Sequence, residues 1–204
     1  MDSILQLANR VCRQKQEHRQ QRLFTVAVSG TDASGKGFVS KQLQEQREKK
    51  GLVVANINTD PWQNPIPVRL NYRNPAINVY ENIFRWQDFF EQLILPLQKD
   101  KSVYLLTTGL RTDADIYYPL LYDHPAPDIL LVEGILLFKK EYLSLYDLRI
   151  WIDCSFETGI RRAIRRNSEK LPEEQLIHDY LTFYYAAQRL HFERDAPQQA
   201  ADII

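Results

Sequence analysis

Cysteine is scarce: Cys12 and Cys154 are the two in a chain of 204 residues, far apart and forming no spaced pair. That leaves a disulfide framework or a cysteine-built zinc site unsupported and reads as two reduced thiols. An excess of either charge is absent too, because 26 Lys and Arg balance 26 Asp and Glu. A protein that holds nucleic acid or an anionic membrane by bulk charge is disfavoured, whereas a local basic patch is not. His18, His124, His178 and His191 lack metal-ligand spacing and read as surface or core side chains. Long apolar runs are missing. The most apolar stretch, 128–138, is too short to cross a bilayer and carries Glu133 in its middle. Residues 1–22 have no leader-like apolar core, since Arg10, Arg13, Lys15, His18, Arg19 and Arg22 run through them. These absences point to a soluble, cytoplasmic protein with no nucleic-acid and no membrane partner.

Hydrophobic residues at 44% and charged residues at 25% are globular proportions. A chain of this size buries roughly 70% of its unfolded surface and needs no staple. Amphipathic spacing predicts a helix over 2–20, then a buried strand over 23–29, a glycine-bounded loop over 30–37 and a helix over 38–50. A second buried strand follows over 52–57, and a Pro- and Asn-rich loop over 60–75. A helix over 78–98 and a third strand over 102–108 come next, then an irregular stretch over 109–127. The apolar run 129–132 reads as a strand, 139–144 as a short helix and 148–153 as a strand. A basic helix spans 158–166, a further helix 172–193, and 201–204 is a candidate closing strand. Strands alternating with helices define an α/β class with a mostly parallel sheet and helices on both faces. No repeat or linker divides it, so one domain over 1–204 is expected, with an N-terminal helix over 1–21 and a core over 22–204.

Gly30-Thr31-Asp32-Ala33-Ser34-Gly35-Lys36-Gly37 lies between a predicted strand and a predicted helix. Phosphate binding needs inward-turned backbone N–H groups, which glycines permit, above the positive end of a helix. Lys36 then reaches the β- and γ-phosphates of a triphosphate. The candidate nucleotide-binding set is Gly30, Asp32, Ala33, Ser34, Gly35, Lys36, Gly37 and Phe38. One departure stands out, because the position after the lysine usually carries a hydroxyl that ligates Mg²⁺, and here it is Gly37. Ser34 and Ser40 are the nearest candidate hydroxyls.

Ligands in open α/β sheets sit at the carboxyl ends of strands. Asp60 follows one strand and Glu133 ends another. Asp60 is a candidate base and, with Glu133, a candidate metal residue. A turn-forming aspartate ahead of Pro61 is the plain alternative for Asp60. Arg161, Arg162, Arg165 and Arg166 fall within one and a half helical turns. Two readings are open: a lid whose Arg162 and Arg166 meet phosphates, or a solvated face paired with Glu157, Glu169 and Glu173.

With these residues placed, 22–204 resembles the uridine kinase-like group of P-loop kinases. The resemblance rests on 26–36, on Asp60, on Leu130-Leu131-Val132-Glu133-Gly134-Ile135-Leu136-Leu137, and on 148–153 leading into the arginine helix. It implies the three-layer fold of P-loop nucleoside triphosphate hydrolases, with a small lid at about 159–172. It also implies ATP with Mg²⁺, and transfer of the γ-phosphoryl to a small-molecule alcohol, first of all the 5′-hydroxyl of a pyrimidine nucleoside. Asp60, Lys36 and Arg162 would be catalytic in that reading. Relatives are often oligomers, so a homo-oligomer is compatible with it. Where that group carries an acid for the ribose hydroxyls, 73–79 here holds none. Trp62, Arg69, Tyr72, Asn78, Arg111 and Asp113 are the candidates for a rebuilt acceptor pocket, with Trp62 and Tyr72 either stacking on a base or packing beneath the loop. A different sugar- or vitamin-like alcohol, and an ATP-binding module without turnover, are the rival readings.

Overall fold

A computed structural model describes residues 4–168 and 170–204. Residues 2 and 3 of the expected first helix, and Glu169, lie outside the described residues. Helix α1 (Ile4–Glu17) precedes strand β1 (Thr25–Gly30), and α2 (Lys36–Glu48) leads to β2 (Val54–Asn58). Short turns at Asp60–Trp62 and Ile66–Arg69 precede α3 (Pro75–Asn82) and α4 (86–100), whose Phe89–Ile94 stretch widens to π pitch. Strands β3 (Val103–Arg111), β4 (Ile116–His124), β5 (Ile129–Glu133) and β6 (Leu148–Ile152) follow, then α5 (Phe156–Arg166) and α6 (173–195).

The main sheet is parallel in the order β2-β5-β1-β6, and Ile203 adds a parallel bridge to Ile150 at its edge. Both faces of the sheet are apolar, as a covered parallel sheet requires. Val26, Val28, Leu131 and Ile150 pack with Leu7, Val11 and Leu43 of α1 and α2. Their alternates Ala27, Leu130, Val132 and Trp151 face the other side, against Ile83, Phe89, Leu93 and Phe183. No helix among the described residues is long and apolar enough to cross a membrane.

Three expectations need correction. The third strand does not join the parallel sheet, and 109–127 is not irregular. Strands β3 and β4 form a separate antiparallel hairpin, Tyr104 opposite Asp123 through Arg111 opposite Ile116. Pro119 inside β4 obscured it, and a two-stranded sheet with open edges tolerates such a proline. The helix expected over 78–98 is broken at 83–85. There Asn64 N–H donates to the Ile83 carbonyl at 2.9 Å and Arg85 N–H to the Trp62 carbonyl at 2.8 Å. These cross-chain bonds draw the segment out of helical pairing.

Candidate active site

The register lines up the carboxyl ends of the central strands: Val28 and Asn58 both flank Glu133, and Gly30 flanks Ile152. The loop 30–37 therefore leaves the sheet where an open α/β fold forms its crevice. A Cβ at Gly30 would lie 2.6 Å from the Ile152 carbonyl oxygen and 2.8 Å from Ser34 Oγ, so only glycine fits. Gly35 caps α2 with φ +104°, a conformation that strains any residue with a Cβ. Lys36 is buried beneath the loop, and its Nζ donates to the Thr31 carbonyl at 2.9 Å. Gln188 on α6 accepts the Asp32 N–H at 3.0 Å and braces the loop from behind.

The two carboxylates are built as one unit. Asn58 Nδ2 donates to Glu133 Oε2 at 2.6 Å, while Asn58 Oδ1 accepts the Asp60 N–H at 2.5 Å. Thr59 N–H donates to the Glu133 carbonyl at 3.0 Å, and the Thr59 side chain occupies the space where Gly134 lacks a Cβ. Glu133 is buried, and desolvation pushes its carboxyl up to about 7 although nearby Lys36 pulls it down. Asp60 opens onto the cleft, yet enclosure by surrounding protein raises its carboxyl above the usual range. Asp32 raises it further, and Lys36, Arg166 and a hydrogen bond from Gln63 act against this.

These groups face one cleft of about 490 Å³. The end expected to hold phosphate is lined by Asp32, Ala33, Gly35, Lys36, Gly37, Phe38, Asn58, Asp60, Glu133 and Arg166. At the other end stand Gln63, Arg69, Ile83, Thr112, Ile135, Tyr180 and Tyr184. Of the six residues expected to line an acceptor pocket, Arg69 is on this wall. Trp62 is fully buried, its Nε1 donating to Tyr122 Oη at 2.9 Å, so it packs beneath the loop. Tyr72 is exposed and lies edge-on to Phe183, with ring centroids 4.9 Å apart. Asn78 Nδ2 donates to the carbonyls of Val68 and Arg69, both at 2.8 Å, and so pins the turn that carries Arg69. Arg111 pairs with Asp113 at the hairpin tip, and Lys170 reaches Asp113 at 3.2 Å. Thr112 between them is the tip residue on the cleft wall.

Helix α5 sits against the phosphate loop because Gly159 permits it. A Cβ there would meet Tyr185 Oη at 2.7 Å and the Asp32 carbonyl oxygen at 2.8 Å. Arg162, expected to meet phosphates from the lid, has its Nη1 donating to the Ser34 carbonyl at 2.9 Å, which ties the helix to the loop's backbone. Arg166, one turn on, is the arginine of α5 that lines the cleft. Arg161 lies 3.7 Å from Glu157 on the exposed side. Sequence reading missed Asn58, Gln63, Gly159 and Gln188. Asn58, two residues before Asp60, was the one with a signal, as a polar side chain closing an apolar strand.

Whether these residues suit a magnesium ion is tested by the donors themselves. Among the described residues no three carboxylate, histidine or cysteine groups cluster as a metal cage. Kinase-type Mg²⁺ sites instead combine one or two carboxylates with phosphate oxygens and water. Glu133 and Asp60, raised by enclosure at one end of a polar cleft, fit that pattern. Ser40 does not contribute, since its hydroxyl donates to Asn56 Oδ1 at 2.7 Å. Ser34 Oγ is buried without a partner. At Gly37 a Cβ would lie 3.7 Å from Glu133 Oε2, so the position usually held by a hydroxyl is open rather than blocked.

The fold is the α/β fold of P-loop kinases, with the loop 30–37 and the carboxylates of Asp60 and Glu133 at its sheet crevice. In sequence the chain resembles the uridine kinase-like group of that class. It is 27% identical over 182 residues to uridine-cytidine kinase 2-B of Danio rerio, covering 81% of this chain and 67% of that protein. It is 26% identical over 161 residues to uridine kinase-like protein 3 of Arabidopsis thaliana, covering 76% of this chain but 32% of that one. The chain thus spans about two thirds of the first relative's length and about a third of the second's. A solved structure described as a possible uridine kinase from Bacillus stearothermophilus superposes with a TM-score of 0.74 at 18% identity, covering 97% of this chain and 98% of that one. No protein-family model matches the chain.

Proposed function

We propose that the protein is an ATP-dependent phosphotransferase that moves the γ-phosphoryl group to a hydroxyl of a small molecule. The observation that carries this reading is the convergence of Lys36, Asp60 and Glu133 on one cleft end, each from a different strand end. Lys36 exchanges its hydrogen bond to the Thr31 carbonyl for phosphate oxygens. Asp60 accepts the proton of the acceptor hydroxyl, and its raised carboxyl makes it a better base than an exposed aspartate. The acceptor O–P bond forms as the bridging P–O bond to the β-phosphate breaks. Glu133, with Asp60, would hold Mg²⁺, which when bound neutralises phosphate charge. Arg166 faces the phosphates from the lid, residues 159–172, and Arg162 acts as a positioning residue for the loop.

The finer expectation, a pyrimidine nucleoside as acceptor, is supported by the resemblance to uridine-cytidine kinases. The acceptor end itself offers little for a ribose diol, since its wall holds no carboxylate among the described residues. Mg²⁺-dependent ADP release from ATP, measured with a panel of alcohols, tests the proposal. Acceptor-stimulated release is expected, with Lys36→Ala lowering it about 10³-fold by removing the cation from the transferring group. ATP binding without stimulation by any alcohol would favour the module that binds but does not turn over.

A further inference from the structure

The acceptor end of the cleft carries one formal charge among the described wall residues, that of Arg69. Arg69 closes the helical turn Ile66–Arg69 and is 3% exposed. Its Nη1 donates to the Asn64 carbonyl at 2.7 Å and reaches Asp115 Oδ1 at 3.4 Å. The Asp115 carboxylate is itself engaged, accepting the Ile66 N–H at 2.9 and 3.1 Å. Arg69 Nε is buried without a partner. Asn78 clamps the turn from below through the Val68 and Arg69 carbonyls, so the guanidinium rests on a fixed base.

A guanidinium has five donors in a rigid fork. Here the Nη1 corner is committed to protein, and Nε is buried without a partner in a side chain that lines the cleft. Burial of a cation with an unused donor is unfavourable unless a ligand completes it. Carboxylates and phosphates match the planar fork with two parallel hydrogen bonds. A neutral diol or base edge does not supply that charge.

We infer that the acceptor is a hydroxyl compound that also bears an anionic group, a carboxylate or a phosphate, which Arg69 holds while the hydroxyl lies beside Asp60. This rests on the phosphotransferase reading above and narrows its substrate class.

The test uses matched pairs in the ADP-release assay: glycerol against D-glycerate, and D-ribose against D-ribose 5-phosphate, with uridine and cytidine as neutral references. The anionic member of at least one pair is expected to have a kcat/KM roughly 100-fold above its neutral partner. Whether the carboxylate or the phosphate arm responds identifies the anion. Arg69→Gln is expected to raise the KM for that anionic compound by roughly 100-fold, and Arg69→Lys to recover part of it. The KM for ATP, which a collapsed fold would also move, stays within about twofold. Uridine or cytidine used as efficiently as every anionic compound would overturn the inference and leave the kinase reading standing. So would an unchanged acceptor KM in Arg69→Gln, or ATP binding with no response to any anionic compound. A wild type that binds no ATP would overturn the kinase reading itself and this inference with it. Should Arg69→Gln fail to fold, Asp115→Asn keeps Arg69 and removes its competing charge. It is expected to lower the anionic acceptor's KM several-fold, and an unchanged or higher KM counts against the inference.

Discussion

The proposed phosphate end of the cleft comes mostly from one loop, six residues between Asp32 and Phe38, with Asn58, Asp60 and Glu133 added at adjacent strand ends. The acceptor end is gathered from distant segments: Gln63 and Arg69 in a loop, Ile83 between helices, Thr112 at a hairpin tip, and Tyr180 with Tyr184 in α6. One end is held by backbone geometry and sheet register, the other by side-chain packing between separate elements. Chemistry that every nucleotide shares can sit on the first kind of construction. Discrimination between acceptors falls to the second kind, which changes without disturbing the sheet.

The largest effect is expected at Glu133. With its carboxyl raised from an ordinary 4.5 to about 7, Glu133 favours the folded state when protonated. Its ionisation therefore opposes folding progressively as pH rises from about 4.5 and fully above about 7. Glu133→Gln removes that opposition. At pH 8, without metal or nucleotide, the variant should be more stable by up to about 3 kcal/mol, and the gain should vanish near pH 4.5. Thermal melts at the two pH values check this. An equal difference at both would show that Glu133 is not held under strain of charge.

A smaller effect is expected at the seam between loop and lid. Gly159→Ala places a Cβ against the Asp32 carbonyl and Tyr185 Oη. Overpacking of this kind costs about 1–3 kcal/mol, and ATP affinity, followed by calorimetry, should weaken about tenfold. Unchanged affinity would uncouple α5 from the loop. The mildest change is expected at Gly37. Gly37→Ser restores a hydroxyl beside Glu133 Oε2 in space that is open. The Mg²⁺ concentration for half-maximal ADP release should fall a few-fold, and a rise would mean that the gap is needed empty.

The phosphate end was legible in sequence because its signals are local. Glycines flank Lys36 at fixed spacing, and carboxylates stand where apolar strands stop. The central sheet was legible for the same reason, each strand being a short apolar run. The hairpin was not, since alternation across 103–111 and 116–124 is interrupted by Gly109 and Pro119. Trp62 shows the other limit. An aromatic beside a candidate base can stack on a ligand or fill the core, and its hydrogen bond to Tyr122, sixty residues away, decided the matter. Arg162 is similar: helical spacing put it on the lid, while its contact with the Ser34 carbonyl depends on how closely Gly159 lets α5 approach.

In the proposed reaction ATP is held by the loop 30–37, and Asp60 beside it activates a hydroxyl of the acceptor bound at the other end of the cleft. Asp60→Asn tests it most directly, with ATP binding and acceptor-stimulated ADP release measured on the same preparation. ATP affinity is expected to stay within a few-fold while transfer falls about 10²-fold or more, since a general base is lost and the loop 30–37 is not. Transfer at the wild-type rate would contradict it, and Asp60 would then be a turn residue with no part in the chemistry.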